Sequence, residues 1–184
     1  MDNQVVLHML GGGDRRSIGR SNQVVAVIRR QPALFPALLD GMHHADERVR
    51  MRAADAVEKL TVTNPEWLRP FKVQLIKLAA RAKQQELRRH LAQMLPRLEL
   101  SRRDRAIVVG ILRCYLKDES RIVKTFAMQS LTDLAQQDPR LTNLVRPLIS
   151  SLTRTGSPSM KSRGRKLLLQ LSPLILPLHA PVSR

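Results

Sequence analysis

Apolar residues recur along this chain as a helical stripe, and the stripe itself recurs. In residues 46–60, DERVRMRAADAVEKL, Val49, Ala53, Ala56, Val57 and Leu60 fall at i, i+4, i+7, i+8 and i+11. That spacing is one face of an α-helix. The same frame returns at Leu87, Leu91, Met94, Leu95 and Leu98, at Val123, Ala127, Leu131 and Leu134, and at Met160, Gly164, Leu167, Leu168 and Leu171. A weaker copy sits at Ser17, Ser21, Val24, Val25 and Ile28. The anchors are roughly 32–38 residues apart, a repeat-protein period.

A second set of apolar helices alternates with these. Residues 2–10 predict a short helix ended by Gly11, Gly12 and Gly13, and a second helix from Asp14 to about Arg30. Pro32 opens the next, with Leu34, Phe35, Leu38, Leu39 and Met42 on its face. Asn64 and Pro65 read as an N-cap and first helical residue before Trp67, Leu68, Phe71, Leu75, Ile76 and Leu78. Asp138 and Pro139 repeat that device. Asp46, Ser101 with Asp104, Asp118 and Ser157 are the other expected starts. Prolines 173, 177 and 181 forbid a regular helix in the tail.

A first helix paired with an aliphatic, base-bearing second helix resembles the HEAT repeat family. Asp46, Val49, Arg50, Ala53, Ala56 and Leu60 carry the likeness, with Leu87-Arg88, Val123-Lys124 and Met160-Lys161 in the later copies. Pro36 and Pro147 stand at equal distances before their anchors, where the family bends its first helices, and Gly110 takes that place in the fourth repeat. The resemblance implies an all-α fold: a right-handed α-solenoid of about five antiparallel helix pairs. Residues 1–172 would form one such domain. Residues 173–184 would be a proline-rich apolar tail that caps the last repeat.

Composition changes the picture in one respect, the formal charge of +17. It calls for an acidic partner or attracts polyanions in general. One cysteine, Cys114, excludes an internal disulfide and fits a reducing compartment. The start MDNQVVLHML lacks a basic segment and is a poor export signal. No apolar run approaches the roughly 20 residues of a membrane span. A cytoplasmic protein is expected.

Arg50, Arg88, Lys124 and Lys161 share one frame position, directly after the anchor. In HEAT arrays the second helices line the concave surface, so these residues could track phosphates along a ladder of helices roughly 10 Å apart. They could equally bridge repeats by pairing with acids such as Asp46 and Asp118. Beyond Asp138 the chain has no acid, so Arg140, Arg146, Arg154, Lys161, Arg163, Arg165, Lys166 and Arg184 are unpaired within that stretch. Arg88, Arg89, Arg97, Arg102 and Arg103 form a second basic cluster. The partner-binding candidates are Arg50, Arg88, Arg89, Lys124, Lys161, Arg163, Arg165 and Lys166.

The remaining candidates carry less chemistry. Gly11–Gly13 lacks the Gly-Lys-Ser/Thr of a phosphate loop. His43, His44 and Asp46 lack the spacing of a helical metal site. His90 reads as a surface or groove residue and Cys114 as a small buried hydrophobe. No catalytic residue, cofactor or metal is predicted. Alkylpurine DNA glycosylases of the AlkD type also use HEAT-like arrays, but the one tryptophan here falls on a first helix. The reading is a non-enzymatic scaffold whose basic concave face binds a macromolecule, a protein before a nucleic acid. The oligomeric state stays open.

Overall fold

The computed structural model describes residues 3–12 and 18–172, with the backbone alone for Asn3 and Gln4. Among the described residues it is helical without a strand. Ten α-helices follow in order: α1 Asn3–Leu10, α2 Ser21–Arg30, α3 Phe35–Asp40, α4 Glu47–Thr63, α5 Lys72–Arg81, α6 Gln85–Met94, α7 Arg102–Tyr115, α8 Arg121–Gln137, α9 Thr142–Thr155 and α10 Pro158–Gln170. Short 3-10 turns open or close several of them, including Pro65–Phe71 before α5 and Leu95–Arg97 after α6.

The recurrent stripe is the core. Val49, Ala53, Ala56, Val57 and Leu60 are buried, as are Leu87, Leu91, Met94, Leu95 and Leu98 on the next copy. Val123, Ala127, Leu131 and Leu134 follow, then Met160, Leu167 and Leu171. Each odd-numbered helix packs on the even-numbered helix after it. The even-numbered helices also pack on one another in sequence, α2 on α4, α4 on α6, α6 on α8 and α8 on α10. Repeats that bury their faces on neighbours need this continuity, because none encloses its own core.

Local chemistry sets the helix starts. The Asp46 carboxylate accepts the Arg48 N–H at 2.8 Å and starts α4. Ser101 and Asp104 form a reciprocal capping box for α7. Ser157 caps α10 above Pro158. Two expected caps differ. Asn64 makes no side-chain cap bond, and Pro65 opens a 3-10 turn instead of a regular helix. The cap of α8 is Ser120, whose own N–H is taken by Asp118 at 2.8 Å. Asp118 is drawn off by an arginine of the preceding repeat.

The second helix begins at Ser21, later than the expected Asp14, because Gly19 turns the chain at φ +53°. Ser17 and Asp14 lie outside the described residues, as do the tail and its expected capping role. Gly164 holds the interior position filled by Ala53, Leu91 and Ala127 in earlier repeats. A Cβ there would stand 2.0 Å from Thr153 Oγ1, so α9 and α10 approach closely only with glycine. Cys114, expected in the core, is exposed on α7. Its neighbour Tyr115 takes the buried face and donates its hydroxyl to the Ala79 carbonyl at 2.7 Å.

Candidate interaction surface

The four same-frame bases meet different fates. Arg50 donates from Nη1 to the carbonyls of His44 and Ala45 at 2.7 and 2.8 Å, and from Nε to Gln84 Oε1 at 3.1 Å. Gln84 in turn donates to the Glu47 carbonyl at 3.0 Å, so this arginine ties α4 to the turn before α6. Arg88 does the same one repeat later. It donates to the Ala82 carbonyl at 2.7 Å and pairs with Asp118 at 2.5 Å, with its guanidinium 5.4 Å from the Tyr115 ring centre. The Asp118 side chain is 2% exposed and that of Arg88 30%.

Lys124 and Lys161 make no such bridge. Lys124 is half-buried and Lys161 exposed, and neither has a hydrogen-bond or ion-pair partner among the described residues. For Lys124 the cause is in the next loop. Gln84 stands three residues before its anchor and Asp118 five before its own; the same places before Met160 hold Ser157 and Thr155. Neither can neutralise a cation.

The C-terminal bases divide in the same way. Arg140 binds the carboxylate of Asp138 through Nε at 2.8 Å, so it is not among the free cations. Arg105 reaches that carboxylate from α7. These hydrogen bonds hold the Asp138 carboxyl down at about 2 despite its burial. Arg146 touches the Leu171 carbonyl at 3.3 Å, and Arg163 donates to Gln129 at 3.0 Å. Lys161, Arg163, Arg165 and Lys166 are exposed on α10. The second basic cluster is dispersed: Arg88 is taken by Asp118 and Arg97 by Glu58 at 2.5 Å, leaving Arg102 and Arg103 exposed at the start of α7.

Arg89 and His90 form a feature that sequence reasoning misread. His90 is 4% exposed, not a surface residue. Arg89 Nη2 lies 2.9 Å from His90 Nε2. A guanidinium can only donate, so Nε2 accepts and the neutral ring carries its proton on Nδ1. Burial, helped by the Arg89 charge, pushes the ring down to about 4. Both Nδ1 of His90 and Nε of Arg89 are buried without a hydrogen-bond partner among the described residues.

A cleft of about 510 Å³ crosses α4, α6 and α8 beyond it, lined in part by Gln93, Arg97, Phe126, Gln129 and Asp133. Gln129 donates to Asp133 at 2.8 Å while accepting from Arg163, which links α8 to α10. Burial raises the Asp133 carboxyl above its ordinary range. Asp133 was not a predicted site residue, and its only sequence signal is the four-residue spacing from Gln129. Phe126 is the aromatic residue on this side; Phe35, Trp67 and Phe71 pack on one another, with ring centres 5.2 and 6.0 Å apart.

The weaker candidates resolve into structure. The Leu10 and Gly12 carbonyls receive Arg52 Nη1 at 2.8 and 2.5 Å, so the glycine turn presents oxygens to a cation, the reverse of a phosphate cradle. His44 Nδ1 accepts the Asp46 N–H at 3.0 Å and holds a turn. Among the described residues no three His, Cys, Asp or Glu side chains gather as a metal site would require. No described helix is long and apolar enough to cross a membrane.

The HEAT repeat domain model matches residues 14–171. The chain belongs to the HEAT repeat family. Searches of the curated proteins and of the solved structures found no match. HEAT repeats are repeat scaffolds, typically for protein interaction, and are generally non-enzymatic.

Proposed function

We propose that this HEAT-repeat chain is a non-enzymatic, right-handed solenoid of about five antiparallel helix pairs, which docks an acidic surface of a partner protein on the C-terminal part of its second-helix face. The observation that carries this is the change along one frame position. Arg50 and Arg88 are consumed by the next repeat, whereas Lys124 and Lys161 are free. Arg163, Arg165 and Lys166 extend the charge on α10, in a stretch with no carboxylate after Asp138. Free cations attract an acidic partner at long range and fix its register. Arg50, Arg88 and Arg89 support the surface without meeting the partner. The single thiol suits a reducing compartment, which we take to be the cytoplasm.

A nucleic acid is the second reading, favoured by the recurrence of one free lysine per repeat at Lys124 and Lys161. The poor supply of free aromatic rings weighs against single-strand binding, which relies on base stacking. A photo-cross-linking residue at the exposed position 162 separates the two. Protein adducts that resist nuclease and vanish in the Lys124→Glu, Lys161→Glu, Arg165→Glu, Lys166→Glu variant support the protein reading. Adducts lost on nuclease treatment, with a salt dependence that flattens by about one unit per lost phosphate contact, support the other. Adducts indifferent to the reversal would remove this face from either role.

A further inference from the structure

A second surface lies on the odd-numbered helices. Val73, Lys77 and Arg81 recur at i, i+4 and i+8 on α5, one edge of that helix. Val73 is an aliphatic residue on the polar side of α5, 59% exposed. Lys77 and Arg81 are exposed and make no hydrogen bond or ion pair among the described residues. The contrast with Lys72 on the same helix is informative, since Lys72 binds Asp104 at 2.8 Å and is spent on α7.

Lys77 and Arg81 edge a cleft of about 660 Å³ whose apolar lining is Pro70, Val73 and Leu78. One wall is closed by the turn after α3, where Gln74 Nε2 donates to His43 Nε2 at 3.1 Å. His43, Lys77 and Arg81 are the titratable residues lining it, and no carboxylate does. Ile107 on α7 and Leu144 on α9 repeat an exposed aliphatic residue on the next odd-numbered helices.

We propose that this cleft docks an amphipathic helical segment of a partner protein, one that inserts a single aliphatic side chain and places acidic residues one and two turns away. An apolar floor with cations along one edge at helical spacing matches such a segment in shape and sign. A phosphate backbone would leave the floor unused. The site is independent of the second-helix surface, since none of Lys124, Lys161, Arg165 and Lys166 lines it.

The test uses the full chain and a fluorescent alanine-rich helical peptide with a central leucine and glutamates four and eight residues to either side. A matched peptide carries lysines instead. The glutamate peptide should bind and the lysine peptide should not. Lys77→Glu with Arg81→Glu should weaken the glutamate peptide at least tenfold and bring the lysine peptide onto the surface. Val73→Asp should weaken the glutamate peptide as well. All three positions are exposed, and circular dichroism checks that each variant stays helical. Absence of binding overturns the proposal. So does binding lost in Lys161→Glu, Arg165→Glu, Lys166→Glu but kept in the α5 variant, or an α5 reversal that weakens duplex DNA and leaves the peptide unaffected.

Discussion

Arg88 and Lys124 occupy the same place in consecutive repeats, and only one of them is part of the architecture. Arg88 reaches the Asp118 carboxylate at 2.5 Å across a repeat boundary and the Ala82 carbonyl of its own helix pair at 2.7 Å, whereas the loop facing Lys124 has no acid. Burial grades in the same direction. Three residues after the anchor stand Arg52 and His90, both buried, then half-buried Phe126 and exposed Arg163. A repeat position is thus not a role. The neighbour that follows decides whether its side chain holds the array together or faces a partner.

The largest test of this contrast is a buried charge. Val57 and Leu168 share a frame position, but Val57 is fully buried and Leu168 only partly so. Val57→Asp should cost several kcal/mol, comparable with the whole stability of about 5–15 kcal/mol, and abolish the cooperative thermal transition. Leu168→Asp should leave a folded chain with a lowered midpoint. Equal losses would mean that the last repeat is as tightly enclosed as the second.

Removing the two bases comes next. Arg88→Ala strands the Asp118 carboxylate and should cost about 2 kcal/mol in denaturant unfolding, less than a fully buried pair because Arg88 is partly solvated. Lys124→Ala should stay within about 0.5 kcal/mol. Similar values for both would erase the distinction drawn between them.

His90 offers a pH-dependent version. Its folded value is about 4 against an ordinary 6.5, so the unfolded chain takes up the proton first as pH falls. Stability should decline between about pH 6.5 and 4, then level off for this group. Asp46 and Asp138, held at about 2, act lower: their stabilisation is present above 3.8 and lost as pH falls toward 2. Thermal melts from pH 7 to 4 should show the wild-type midpoint falling and His90→Gln nearly flat. A parallel fall in both would assign the loss to other groups.

The smallest effect comes from adding the missing acid. Ser157→Asp keeps a good cap and places a carboxylate where Gln84 meets Arg50 two boundaries earlier. It should stabilise by at most about 1 kcal/mol, as exposed pairs do, and lower affinity for heparin. Unchanged heparin retention would show that Lys124 is not part of the attracting surface.

Much of the fold was legible in the chain because it rests on local periodicity. The stripes at Val49, Leu87, Val123 and Met160 follow from 3.6 residues per turn, and the caps at Asp46, Ser101 and Ser157 from side chains two or three residues from the groups they satisfy. The site was legible only as a set of candidates. Asp118 was read both as a cap and as an acid that could pair with the frame-position bases; its carboxylate serves Arg88, 30 residues earlier in the chain, and Ser120 caps the helix. Cys114 and Tyr115 are adjacent, and the roughly 100° between successive helix residues puts one in water and the other in the core. His90 looked like a surface or groove residue beside Arg89, yet it is buried on α6, the helix that packs on both α4 and α8.

The sequence by itself determined the repeat, the helical class, the family and an excess of positive charge, all properties of neighbours in the chain or of simple composition. Tertiary structure alone decided which charges are left over. Pairing depends on side chains brought together from 30 or more residues apart, and the desolvation that makes a pair structural exists only once the repeats have stacked.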